Sequence, residues 1–60
     1  MGDQHSIYEP GMIVEHPDQP DWGQGQVQSA IGGKVTVNFQ EQGKVVMDEA
    51  HIHLIIVSFG

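Results

Sequence analysis

The segment Lys34-Val35-Thr36-Val37-Asn38-Phe39 decides the fold class, because its side chains alternate strictly between polar and apolar. A period of two places Val35, Val37 and Phe39 on one face of a β-strand. Gly32-Gly33 precedes the segment and supplies the positive φ angles that a two-residue hairpin requires. The sequence therefore predicts a half-buried strand that is entered from a tight turn.

The residues before this hairpin predict two more strands. Residues 26–31 alternate, with Val27, Ser29 and Ile31 on one side. Residues 12–16 form a shorter strand that has Met12, Val14 and His16 on one face. Residues 17–21 between them contain two prolines and two aspartates, which exclude a helix interior or a central strand and predict a loop.

The residues after the hairpin predict the rest of the domain. A second turn at residues 40–43 leads into a strand at residues 44–47. Asp48 is an N-cap candidate for one helical turn through residues 49–51, and residues 54–57 form the last strand.

Five short strands and a single helical turn predict an all-β fold, a small antiparallel barrel whose closure would hide the strand edges. We expect a flexible lead-in over residues 1–9 and one domain over residues 10–58. The predicted core consists of the inward-facing apolar residues Val14, Val27, Val35, Val37, Phe39, Met47, Leu54 and Val57.

Composition excludes several classes of protein. The chain has 60 residues, no cysteine, and eight acidic residues against two lysines, which gives a net charge of −6. The absence of cysteine excludes disulfides, zinc–thiolate sites and thiol nucleophiles. No apolar stretch is long enough to span a membrane, and the first residues lack the cationic start of a secretory signal. We therefore expect a cytoplasmic protein.

Catalytic and metal chemistry are not expected. The hydroxyl nucleophiles have no paired carboxylates beside them, and a chain of this size is expected to lack a ligand-sized concave site. His51 and His53, with His16 as a third ligand, could in principle bind zinc, but their spacing matches no standard site. The sequence thus predicts neither an enzyme nor a bound cofactor.

The loop before the second strand holds the candidate partner-binding residues Asp18, Asp21 and Trp22. A tryptophan beside a rigid loop is a typical interface anchor, but a small barrel needs its few large side chains inside, which favours an indole that caps one end of the core. The two aspartates would complement a basic patch on a protein partner, although they could equally serve solubility.

Four short motifs carry a family resemblance: Gly11-x-x-Val14-x-His16, Trp22-Gly23-x-Gly25-x-Val27, Val35-x-Val37-x-Phe39 and Gly43-Lys44. The pattern resembles the Tudor-like C-terminal domain of UvrD/PcrA-type helicases and, more distantly, the RNA-polymerase-interacting domain of CarD and of the transcription-repair coupling factor. It is most similar to a family of short, stand-alone bacterial proteins of unknown function. The loop between His16 and Trp22 is longer than in the helicases and richer in proline and aspartate.

The resemblance implies a five-stranded SH3-like barrel of Tudor or CarD type that binds another protein, with RNA polymerase as the first candidate. We expect a non-enzymatic, monomeric interaction module of the transcription or DNA-repair machinery. The alternative is a nucleic-acid-binding barrel, which two lysines against eight carboxylates disfavour. A third class is a self-associating structural protein that would use one of two apolar faces outside the core, Ile55 with Val57 or Ile13 with Val46.

Overall fold

The computed structural model describes residues 7–59. Its strands are β1 (Ile13–Glu15), β2 (Gln24–Ile31), β3 (Lys34–Phe39), β4 (Gly43–Asp48) and β5 (Ile55–Ser58). A first 3₁₀ turn covers Pro20–Trp22, and a second covers Glu49–His51.

The five strands form one antiparallel sheet in the order β4-β3-β2-β1-β5, so that β4 and β5 are its edges. The predicted all-β architecture and the helical turn after β4 are confirmed. Asp48 caps that turn, since its Oδ1 accepts a hydrogen bond of 3.2 Å from the Ala50 N–H. The first 3₁₀ turn begins inside the loop predicted at residues 17–21 and ends one residue beyond it, at Trp22.

The hairpin between β2 and β3 has the predicted two-residue turn. Gly32 and Gly33 have φ angles of 59° and 81°, and Ile31 pairs directly with Lys34. Both turn residues thus adopt the left-handed conformation that glycine tolerates best.

One face of the sheet encloses a single core: Tyr8, Met12, Val14, Val27, Val35, Val37, Phe39, Met47 and Leu54. Every predicted core residue except Val57 belongs to this set. Val57 is 45% exposed, so its assignment to the core is wrong. Ile56 lies opposite the buried Val14 and packs on the core, and the alternation of a strand then turns Val57 outward.

The inward face of β2 also differs from the prediction. The register with β3 shifts between Val27 and Ser29, which inserts Gln28 as an extra residue. After the shift Ala30 packs against the core, while Ile31 is 76% exposed. The predicted placement of Ile31 beside Val27 is therefore wrong, because a bulge reverses the alternation beyond it.

Tyr8 ties the start of the described chain to its end. It is 3% exposed, and its hydroxyl oxygen accepts a hydrogen bond of 3.0 Å from the Leu54 N–H. Tyr8 thus belongs to the core, although the sequence analysis assigned it to the lead-in. Residues 1–6 of that lead-in lie outside the described residues.

Over residues 7–59 the structure contains no helix with the length and apolar character needed to cross a bilayer.

Candidate functional site

The loop between β1 and β2 has a defined backbone. The Asp18 N–H donates to Nδ1 of His16 at 3.1 Å, and the Gln19 N–H donates to the His16 carbonyl at 3.2 Å. Pro20 begins the 3₁₀ turn, where its fixed φ suits a helical start. The Gly23 N–H closes the turn on the Pro20 carbonyl at 3.2 Å.

Trp22 is half-buried and is fixed from two sides. Its ring meets the Phe39 ring edge-on, with centroids 5.1 Å apart, and the His16 ring at 4.9 Å. Its carbonyl accepts a hydrogen bond of 2.9 Å from the Glu41 N–H. The indole therefore packs on the core, as the packing interpretation predicted, and it keeps an exposed portion; its role as an interface anchor stays a prediction.

Asp18 and Asp21 are exposed, and within the described residues neither carboxylate takes part in a hydrogen bond or an ion pair. Asp21 shares the 3₁₀ turn with Trp22. Glu15, at the end of β1, accepts a long contact of 3.5 Å from the Gln24 amide. The structure thus brings the three predicted site residues together in one corner, which we call the Trp22 corner.

Two glycines of the sequence motif have structural roles beside this corner. Gly23 has a φ of 77° and ends the 3₁₀ turn. Gly25 lies between Val14 and Phe39 in the sheet, and a Cβ atom there would come within 2.7 Å of Phe39 Cδ1. The motif is therefore explained by backbone conformation and close packing.

Among the described residues, at least three surface grooves, of about 540, 480 and 370 Å³, have the volume of small-molecule sites, so the expectation of no concave site is wrong. One, of about 540 Å³, lies over β2 and β3 and is lined largely by side-chain amides: Gln24, Gln26, Asn38, Gln40 and Gln42. Sequence reasoning missed it, although glutamines at alternate positions of β2 place their amides on one face. These residues include no nucleophile with an adjacent base.

The second groove, of about 480 Å³, is lined by His16, His51 and His53 together with Asp18. The histidines that the sequence suggested as ligands therefore do lie around one groove. Over residues 7–59, however, no three histidine or acidic side chains are arranged to hold a metal ion.

The two lysines lie on neighbouring strands, Lys34 at the start of β3 and Lys44 in β4. Lys34 Nζ lies 3.8 Å from Asp48 Oδ2 in an exposed ion pair, and Lys44 is on the edge strand β4.

The chain matches the model of a known protein family. No curated protein matches the chain, and no solved structure matches its fold. The family model described as "Protein of unknown function (DUF3553)" matches residues 8–57, a range that begins at Tyr8 and covers β1 to β4 and all of β5 except its last residue, Ser58. This confirms the predicted membership of a small family of unknown function. The chain belongs to the DUF3553 family.

Proposed function

We propose that the chain is a non-enzymatic, cytoplasmic protein-interaction module that binds its partner through the Trp22 corner. One observation carries this proposal. The indole of Trp22 is fixed against His16 and Phe39, is partly exposed, and is flanked by the free carboxylates of Asp18 and Asp21. A rigid aromatic side chain provides a large contact area at little cost in entropy, which is typical of binding hot spots.

The charge at the corner indicates the chemistry of the partner. Asp18 and Asp21 are joined by Glu41, whose N–H binds the Trp22 carbonyl. A surface with this charge attracts a basic protein segment and repels the phosphates of a nucleic acid. The partner is therefore proposed to be a protein that presents lysine or arginine beside an apolar pocket for the indole.

RNA polymerase is the first candidate partner, because of the resemblance to the Tudor-like helicase domain and to CarD. The strand order β4-β3-β2-β1-β5, with a 3₁₀ turn before β5, supports classification as an SH3-like barrel. Folds of this size serve many functions, so the Trp22 corner carries the functional argument and the fold does not.

The experiment measures binding of purified bacterial RNA polymerase to the immobilised protein at low and physiological salt. The double variant D18K/D21K should weaken binding several-fold, with the larger effect at low salt, because exposed charges are screened by ions. The variant E9K/E49K changes the net charge by the same amount away from the corner and should bind as the unmodified protein does. Circular dichroism checks that both variants remain folded.

Three other results would contradict parts of the proposal. Equal losses in both double variants would show a general charge effect and no corner, and absence of binding by the unmodified protein would exclude RNA polymerase as the partner. Micromolar binding of DNA that is lost in K34E/K44E would replace the proposal with the nucleic-acid alternative.

A further inference from the structure

The edge strand β4 has an exposed apolar centre. Among residues 7–59 it has one neighbour in the sheet, β3, with which it pairs without a register shift from Gly43 to Asp48. Val46, in the middle of the strand, is 61% exposed, and Lys44 beside it is exposed as well. An unbroken edge strand of this kind offers a template for another strand.

The register defines which main-chain groups of β4 face outward. Gln40, which follows β3, donates its N–H to the Gln24 carbonyl of β2. Because the direction of the N–H and C=O groups alternates along a strand, the even-numbered residues of β3 also point these groups toward β2. The odd-numbered Val35 and Val37 therefore point their N–H and C=O groups toward β4. Val35 lies opposite Met47, and Val37 lies opposite Val45. It follows that Lys44, Val46 and Asp48 present their N–H and C=O groups at the free edge.

The side chains along the β4 edge can pair with those of a second copy of the same strand. In an antiparallel pair of two copies centred on Val46, each Val46 lies opposite the other, and Lys44 of each copy lies opposite Asp48 of the second copy. All of these residues have main-chain groups that face outward, so the register is in phase for hydrogen bonding. We propose that β4 pairs in this register with β4 of a second copy, which joins two sheets into one.

The charges of Lys44 and Asp48 favour this register over its neighbours and favour a second copy of the chain as the partner strand. A shift of two residues in either direction keeps the hydrogen bonds in phase but places Val46 opposite Lys44 or opposite Asp48, and no pair of opposite charges remains. Asp48 already lies 3.8 Å from Lys34, so pairing places it between two lysines from different copies. Opposite charges directly across a strand pair stabilise it, and like charges destabilise it.

The expected association is weak. A single pair of six-residue strands buries far less than the roughly 1,600 Å² of a standard interface. The dimer should therefore be populated only at high protein concentration and should dissociate on dilution. None of Asp18, Asp21 and Trp22 lies in β4, so this pairing and the proposed partner binding can each fail without the other.

Analytical ultracentrifugation across a concentration series tests the pairing. The unmodified protein should shift from monomer to dimer as its concentration rises, and V46K should remain monomeric, because it places two lysines opposite each other. The matched control is V57K, the same change on the outward face of the other edge strand, which should dimerise as before. Dimerisation that V46K leaves intact, or that V57K also abolishes, would overturn the proposal, as would a monomer at every concentration.

Mixing two variants tests the register. K44E and D48K should each be monomeric, because each alone places like charges opposite one another. An equimolar mixture should dimerise, because the mixed pair has opposite charges at both positions, and a mixture that stays monomeric contradicts the register. D48K also removes the cap of Ala50, so thermal melting checks its fold. If D48K is unfolded, hydrogen exchange of the unmodified protein is measured instead. The Lys44 and Val46 amides should then exchange more slowly as the protein concentration rises.

Discussion

The β3–β4 hairpin and the β1–β5 ladder are both antiparallel, but they are stabilised in different ways. The hairpin pairs six consecutive residues of each strand without a shift, across a short turn. The β1–β5 ladder pairs only Ile13, Val14 and Glu15, with residues 40 to 45 positions later, and its register shifts between Ile13 and Val14. Closing such a long loop costs more entropy than closing a turn.

The difference shows what stabilises each part of the sheet. The hairpin contributes Val35, Val37, Phe39 and Met47 to the core, so its burial is dense and local. The β1–β5 ladder depends on Val14 and on the link from Tyr8 to Leu54. We therefore expect the ladder to open more readily than the hairpin.

The largest expected effect comes from Phe39→Ala, which removes the central aromatic side chain of the hairpin. Phe39 is fully buried and also supports Trp22, so the loss should be about 3–5 kcal/mol, the usual cost of an aromatic core truncation. A domain of this size has a total stability of only a few kcal/mol, so the variant should be unfolded at 25 °C by circular dichroism. Phe59→Ala, at a side chain that is 79% exposed, is the control. A cooperative thermal transition in Phe39→Ala would contradict the assigned inner face of β3.

The second largest effect is expected at Gly25, which lies between the β1–β5 ladder and the β3–β4 hairpin. Gly25 pairs with Val14 of β1 on one side and Phe39 of β3 on the other. In Gly25→Ala the new methyl group would collide with Val37 and Phe39, and overpacking of this kind costs about 1–3 kcal/mol. Urea unfolding measures the loss, and Gln26→Ala, at the exposed next position, should change little. Equal stability of Gly25→Ala and the unmodified protein would show that the two regions are not tightly joined there.

The same difference between local and distant pairing explains what the sequence could predict. The inner face of β3 and the Gly32–Gly33 turn follow from periodicity and glycine chemistry, which act over a few residues. The bulge after Val27 leaves no such local signal, so the exposed side of Ile31 was missed. Tyr8 was missed for a related reason, because its partner Leu54 is 46 residues away.

The candidate site divides in the same manner. Asp18, Asp21 and Trp22 are neighbours in sequence, so their grouping was predictable from the chain alone. The packing of Trp22 against Phe39 was not, because it depends on the path of the loop across the end of β3. The structure shows that the indole packs on Phe39 and keeps an exposed portion, and binding through that portion remains the proposal made above.

The smallest expected effect tests the weaker region directly. Tyr8→Phe keeps the aromatic packing but removes the oxygen that accepts from the Leu54 N–H, and the loss of one buried hydrogen bond costs about 1 kcal/mol. The cost should fall mainly on the β1–β5 ladder, because Leu54 directly precedes β5. Hydrogen exchange measured by NMR should thus show faster exchange at Leu54 and in β5, with β3 changed less. Ile7→Ser, a change at an exposed neighbour, should leave the exchange pattern as it was. If Tyr8→Phe instead accelerated exchange equally in β3 and β5, the two regions would open together, and the sheet would be one cooperative unit despite its uneven ladders.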